Sequence, residues 1–534
     1  MKFNLICLGS VAMLLFILSG CGSIPYKAST NSKISEGEKS TSQASFELRN
    51  ERIKKVGDER LEVDCNPKQH KKNLVLLALS GGGSRAALLS GLSMDEMKNI
   101  QANGSSYDIL SEVDLISSVS GGSLAAAYYA ISGEPEAKNE CDTAVSGREW
   151  SKENVIELMS KNYILPWIGN WFWPDNIFHY WLSTYDRTDI MAQTFADNLF
   201  DRKSNGLDLK FSELNPARPN LIINATKGSS NFTQEQLNEN SFGQAFTFSA
   251  EDFGKICSSI DEYDLSRGVM ASATFPGVFN FMTLENHCLG NQNQYVHVFD
   301  GGNADNLGLT SIKRAIWSLH RNNKLKDYEK ITVILVDAYV NSSGVDEKYN
   351  DPRPWYGFIV DLNFIVATDS LLGKNRERLL TEFETKNIFP YSRMENQGMA
   401  DSNKRKITAC NSFFNWKGTV DAAKYCNDSE FWKDLNKDIH QKMQFVHITF
   451  DETPNPDLQR QLNNIATNFR LNDDRDDKTR LTDKEAIICA VPALFGRDSK
   501  CPYNEEIYSA SENLKEKWGN VVKDFNSSTN KRSH

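Results

Sequence analysis

Four serines crowd one short stretch: Ser117, Ser118, Ser120 and Ser123 all lie in "VDLISSVSGGSLAAAYYAI", Val113 to Ile131. A serine hydroxyl is a weak nucleophile. To attack a carbonyl it needs a base for its proton, a sharp exposed turn, and donors for the oxyanion that forms. A strand-to-helix elbow of the G-x-S-x-G kind supplies the turn. Two frames compete here. "SVSGG" centres on Ser120 and puts Ser118 in the first glycine position; "GGSLA" centres on Ser123 and puts Ala125 in the last. Ser120 follows the apolar run directly, where an elbow residue must stand. Ser123 falls inside the first helical turn, where a serine more often caps backbone. Ser120 is therefore the candidate nucleophile.

Two more segments have types and spacing that could do chemistry. "LALSGGGSRAALLSG" places Gly81, Gly82 and Gly83 between a strand and a helix. Bare backbone there can turn sharply and aim N–H groups into a cavity at the positive end of the helix, which suits an anion or an oxyanion. Gly81-x-Gly83-x-x-Ala86 also fits a dinucleotide fingerprint, but that site wants an acidic residue ending the next strand, and the next strand ends at Ser120. No Lys-[Ser/Thr] follows at P-loop spacing. In "VFDGGNADNLGL", Val298 to Leu309, Asp300 ends an apolar strand before two glycines. A carboxylate there can act as a general base or orient one, although Asp-Gly-Gly alone is usually just a turn.

These segments need elements to hold them. "NLVLLALS", Asn73 to Ser80, is a continuous apolar run, as in a parallel strand covered on both faces. "VDLISSV" repeats the pattern, and each run passes through a glycine turn into a helical pattern. "NLIINATKG", "YVHVFDGG", "KITVILVDAY" and "MQFVHITF" add further strands. This order predicts an α/β sandwich. Arg52 to Asp64 is expected to be a charged helical lead-in. Residues 142–217 are expected to form a largely helical insertion with a dense aromatic stretch, Tyr163 to Trp181. Its Trp167, Trp171, Phe172, Trp173, Phe178 and Trp181 either pack a helical subdomain, line an acyl channel, or meet a lipid interface.

Taken together, "GGGSR" (Gly81 to Arg85), the Ser120 elbow, "ASATFPGVF" (Ala271 to Phe279) and "DGG" (Asp300 to Gly302) resemble the patatin-like phospholipase family in content, order and rough spacing. The resemblance covers about residues 70–340. It implies a three-layer α/β/α fold with a mostly parallel sheet and a Ser–Asp dyad without histidine. Ser120 is then the nucleophile and Asp300 its base. The backbone of Gly81, Gly82 and Gly83 forms the oxyanion hole, Arg85 supports that loop, and Pro276 is structural. Ser118 in place of the first elbow glycine is the one departure. The expected reaction is hydrolysis of fatty-acyl esters of phospholipids, lysophospholipids or related lipids through an acyl-enzyme, with no metal and no cofactor. One alternative is an α/β-hydrolase triad using His320, His440 or His447. Another is a non-catalytic lipid-binding or scaffold lipoprotein on the same fold.

The N-terminus suggests where this happens. An apolar run from Leu5 to Leu18 follows Lys2 and suits a signal sequence over residues 1–20. "LSGC" resembles the lipobox of bacterial lipoproteins, which implies a lipidated Cys21. Gly22, where an Asp would favour the inner membrane, leans the expectation toward the outer membrane of a cell envelope. Residues 21–60, poor in large apolar side chains, are expected to be a flexible tether. Residues 61–345 should be the core and 346–534 a C-terminal region packed on it. The formal net charge of −10, with no long basic stripe, argues against a nucleic-acid partner. Eight cysteines lie beyond Cys21, an even set that suits disulfides in an oxidising compartment. Short loops favour Cys410–Cys426 and Cys489–Cys501, then Cys257–Cys288, then Cys65–Cys141.

Overall fold

The computed structural model describes residues 31–530 apart from 35–39, 41, 49–52, 57–60, 103, 135–147, 175, 178–179, 181–184, 202–207, 229–242, 290–294, 341–372, 374, 390–428 and 474–480. The signal segment, Cys21, and the expected Cys410–Cys426 and Cys65–Cys141 pairings rest on residues outside that set. So do Phe178 and Trp181.

The run Asn73–Leu79 is buried at all seven positions, so it must be covered on both faces. The pleat divides its side chains: Val75, Leu77 and Leu79 enter one core, and Leu74, Leu76 and Ala78 enter another. Lys330–Asp337 divides in the same way, with Ile334 and Val336 on the first side and Ile331, Val333 and Leu335 on the second. Two apolar faces on one sheet require two helical layers, and the structure has them.

The main sheet has eight strands, here numbered along the chain: β1 Asn73–Leu79, β2 Leu115–Val119, β3 Asn220–Lys227, β4 Ala245–Phe248, β5 Met282–Glu285, β6 Tyr295–Asp300, β7 Lys330–Asp337 and β8 Met443–Thr449. Their order is β8-β7-β1-β2-β3-β6-β5, with β4 also paired to β3. The first five in that order are parallel; β4, β5 and β6 join antiparallel. The helices that concern the site are α1 Gly83–Met97, α2 Gly121–Ile131, α3 Ile164–Trp171, α4 Arg187–Phe195, α5 Leu265–Ser272, α6 Leu309–Arg321, α7 Ser429–Lys442, α8 Asp483–Leu494 and α9 Glu512–Asn530. The first core takes Leu88 of α1, Leu124 of α2, Val269 of α5, Ile487 of α8 and Trp518 of α9. The second takes Ile316 of α6 and Trp432 of α7. This is the expected three-layer α/β/α sandwich with a mostly parallel sheet. The C-terminal residues supply an edge strand and helices to both faces.

Three local expectations are refined. Arg52 to Asp64 is not helical: Ile53–Val56 and Leu61–Asp64 pair antiparallel. The β-branched Ile53, Val56 and Val63 favour extended backbone over a helix. The segment expected to be a free tether is docked in its second half. Ala44, Phe46 and Leu48 are buried, the Arg314 guanidinium lies 4.8 Å from the Phe46 ring, and Glu251 accepts from Ser45 Oγ and the Phe46 N–H. Asn31 is buried too; its amide bonds Ser258 and the Glu285 backbone. A few apolar side chains among many polar ones suffice to dock a strap, which average composition hides. Among the described residues, Cys257 is bonded to Cys288 and Cys489 to Cys501, with Cα atoms 5.1 and 5.0 Å apart.

Candidate active site

The register of β3 brings the two candidate residues together. Val119 of β2 stands opposite Asn224, and Asp300 of β6 stands opposite the next residue, Ala225. Ser120 and Asp300 therefore leave the two strands that flank β3 at nearly the same level of the sheet. Ser120 Oγ lies 3.2 Å from Asp300 Oδ2 and donates to it. Both residues are buried.

Ser120 occupies a costly backbone conformation, with φ 48° and ψ −121°. Positive φ in a residue with a Cβ costs on the order of 1–3 kcal/mol and persists only where the surroundings impose it. Here they do. The Ser120 N–H donates to Ser272 Oγ at 2.8 Å, and Ser272 donates to the Asn224 carbonyl at 2.5 Å. Asn224 in turn donates from Nδ2 to Ser117 Oγ and the Ser118 carbonyl. Ser117 donates to the Gly308 carbonyl and Ser123 to Ser118 Oγ, so three of the four serines serve the scaffold. The glycines after Ser120 are required by close approach. A Cβ on Gly121 would lie 2.0 Å from the Gly83 carbonyl oxygen, and one on Gly122 2.6 Å from that of Ser80.

Burial pushes the Asp300 carboxyl up to about 7, despite hydrogen bonds from the Gly302 N–H and Ser120 that favour its charged form. The Gly302 N–H donates to Asp300 Oδ1 at 2.7 Å, leaving Oδ2 for the serine. Thr226 Oγ1 donates to the Asp300 carbonyl, the Asp300 N–H to the Thr274 carbonyl and the Gly301 N–H to the Ser272 carbonyl. The carboxylate is thus aimed by its own turn and by the "ASATFPG" segment. A general base that titrates near neutrality and touches the hydroxyl it would deprotonate has the right geometry for the task.

The glycine turn lies alongside. The Gly81 N–H is engaged: it donates to the Asn306 carbonyl at 3.0 Å, so this amide, named from the sequence as an oxyanion donor, ties the turn to the "DGGNADN" loop. Asn306 also fills the space beside Gly81, where a Cβ would meet its Oδ1 at 2.3 Å. Gly83 has φ 61° and abuts Asn468, whose carbonyl oxygen would be 2.2 Å from a Cβ there. The Ser84 N–H donates to that same carbonyl. Arg85 is buried and donates to the Ile465 carbonyl and to Thr467 Oγ1. It fastens the helix start to residues 465–468. No motif announces that contact, because it joins residues nearly 400 apart; Ser272 and Asn306, by contrast, sit inside quoted motifs.

The three candidate triad histidines lie elsewhere. His447 on β8 is 3.1 Å from Asp337, which Arg376 also binds. Beside His447 and Arg376, the Asp337 carboxyl is held down at about 2. The His320 ring lies tilted against Trp317 and edge-on to Phe431, and His440 lies on α7. The side-chain partner of Ser120 is Asp300. A cavity of ≈ 490 Å³ opens beside this centre, lined by Thr274, Pro276, Phe279, Phe281, Phe299 and Arg187 among others, without reaching Ser120 itself.

Fold and site define a three-layer α/β/α protein with a strained serine at a strand–helix elbow and a buried carboxylate in contact with it. Residues 77–312 match the family model of patatin-like phospholipases, and the chain carries a patatin-like phospholipase domain. Among solved structures, human GIVD cytosolic phospholipase A2 is similar at 12% identity over 52% of this chain and 44% of that one, with a TM-score of 0.30. The chain thus spans less than half of that relative, a likeness too low to carry an inference. No curated protein matches the chain.

Proposed function

We propose that this protein is a lipid acyl hydrolase that cleaves fatty-acyl esters of phospholipids, lysophospholipids or related lipids through a Ser120–Asp300 dyad. The observation that carries the proposal is the 3.2 Å contact between Ser120 Oγ and a carboxylate pushed up to about 7. The patatin-like phospholipase domain supports the substrate class. In the first step Asp300 takes the hydroxyl proton as Ser120 Oγ bonds to the ester carbonyl carbon. The carbonyl oxygen becomes an oxyanion, for which the N–H groups of Gly82 and Gly83 at the start of α1 are the donors. Collapse breaks the bond to the alcohol oxygen, which leaves with the proton from Asp300. Water then attacks the acyl-serine, again giving its proton to Asp300, and the fatty acid departs as Ser120 is restored.

The sequence reading of Cys21 adds the setting: a lipid on that residue would hold the body at a membrane of the cell envelope, the outer membrane by virtue of Gly22. The test is product analysis. Purified protein on mixed phospholipid vesicles should release free fatty acid detectable by mass spectrometry. Ser120→Ala and Asp300→Asn should each lower the rate by at least about a thousandfold, while His320→Ala, His440→Ala and His447→Ala retain it. Full activity in Ser120→Ala, or loss in one histidine variant with its fold intact, overturns the dyad.

A further inference from the structure

Helix α3 leaves an apolar face uncovered. Trp167 and Trp171 turn inward: the Trp167 ring lies 5.5 Å from that of Phe279, and its Nε1 donates to the Arg187 carbonyl. Leu165, Ile168 and Phe172, at helical spacing on the other side, are 67%, 46% and 74% exposed, and Trp173 beside them is 61% exposed. The loop that α3 packs on adds Val278 and Phe281, also exposed. Soluble surfaces rarely gather this many large apolar side chains in one place unless something covers them.

We propose that this face, from α3 to the 278–281 loop, is the surface by which the protein seats on a lipid bilayer. The inference rests on the anchored lipid-hydrolase reading given above, and it adds the orientation in which the enzyme meets its substrate. Two observations choose a bilayer as the occupant. The first is the length of chain between the candidate lipid site and the docked strap. Asn31 is pinned to Glu285 at the end of β5, and Phe281 lies four residues back along the same segment, about 13 Å away at ~3.3 Å per residue. Asn31 lies ten Cα-to-Cα steps beyond Cys21, a reach of at most about 35 Å. A lipid on Cys21 therefore holds the membrane within easy range of this face. The second is continuity with the site. Ser272, which receives the Ser120 N–H, lies six residues before Val278, and the 276–281 loop lines the cavity beside Asp300. Seating on this face presents the site end of the sheet to lipid. With a net charge of −10 the body gains nothing from anionic headgroups, so the attraction is apolar, and neutral vesicles suffice.

The test uses the full chain, reconstituted on phosphatidylcholine vesicles with brominated acyl chains, which quench tryptophan on contact. Wild type should be quenched, and the double variant Phe172→Asp, Trp173→Asp should lose that quenching. The same variant should hydrolyse a dissolved short-chain ester at the wild-type rate and vesicle phosphatidylcholine at least tenfold more slowly. Equal quenching of both proteins overturns the proposal, as does an equal fall on both substrates. A wild-type dimer that the variant loses, with no quenching, gives the face to a second copy and also overturns it. If wild type hydrolyses nothing, the hydrolase reading fails while quenching still decides the docking. The mass of the N-terminal peptide reports separately whether Cys21 is acylated.

Discussion

Consider the acidity of Asp300. Burial pushes its carboxyl from 3.8 to about 7, and at ~1.4 kcal/mol for each tenfold change in ionisation this is on the order of 4 kcal/mol against the charged form in the free protein. Two consequences follow, with opposite slopes. Only the carboxylate can take the serine proton, so kcat/KM on a soluble ester should rise about tenfold per pH unit below about 7 and level off above it. Stability should move the other way. The folded state holds a proton that the unfolded chain has released, so the contribution of this group is fully present below about pH 4 and is lost as pH rises to about 7. Asp300→Asn keeps the shape and removes the charge. It should abolish the acid limb along with activity and remove that fall in stability, so that its stability relative to wild type rises over that window. The assays are initial rates from pH 5 to 9 and urea unfolding at pH 5 and 8. A flat wild-type rate profile, or an acid limb that survives in Asp300→Asn, refutes the assignment of Asp300 as the base.

Other outcomes follow from the same geometry. Ser120→Gly should abolish activity yet raise stability by about 1 kcal/mol relative to Ser120→Ala, because glycine relieves the positive φ; equal thermal midpoints would deny the strain. Gly121→Ala should cost about 2–3 kcal/mol by thermal denaturation, since its Cβ would collide with the Gly83 carbonyl. Phe46→Ala should cost about 3 kcal/mol by the same measurement, because the ring is buried beneath Arg314; a free tether would show no change. Replacing Cys257 and Cys288 by Ala opens a 31-residue loop and should cost roughly 4 kcal/mol, read as a reduced urea midpoint.

Six of the eight strands were legible as apolar runs, four of them ended by glycine turns, and burial on two faces leaves no other arrangement for a run such as Asn73–Leu79; Ala245–Phe248 and Met282–Glu285, four residues each, are too short to stand out. The pairing of Ser120 with Asp300 was legible only through the family resemblance. What joins them physically is the register of β3, where Val119 and Asp300 find adjacent partners, and register is not written in either motif. The role of Ser272 was hidden in plain view, since a serine inside a quoted motif gives no sign that its hydroxyl receives the Ser120 N–H. Residues 465–468 carry no signal at all. They meet Gly83 and Arg85 through the carbonyls of Asn468 and Ile465 and a single hydroxyl, that of Thr467, and carbonyls are the same in every sequence. The docked strap at 42–48 was missed because three apolar residues in a polar segment change its average hydropathy little, yet each finds a pocket.

The central claim is that the Ser120 hydroxyl attacks an acyl ester. Incubating the protein with a tagged fluorophosphonate lipid analogue and mapping the adduct by peptide mass spectrometry tests it most directly. The geometry predicts one stoichiometric adduct on Ser120, absent in Ser120→Ala and formed more slowly below pH 7. No adduct, or an adduct on Ser117, Ser118 or Ser123, would contradict it.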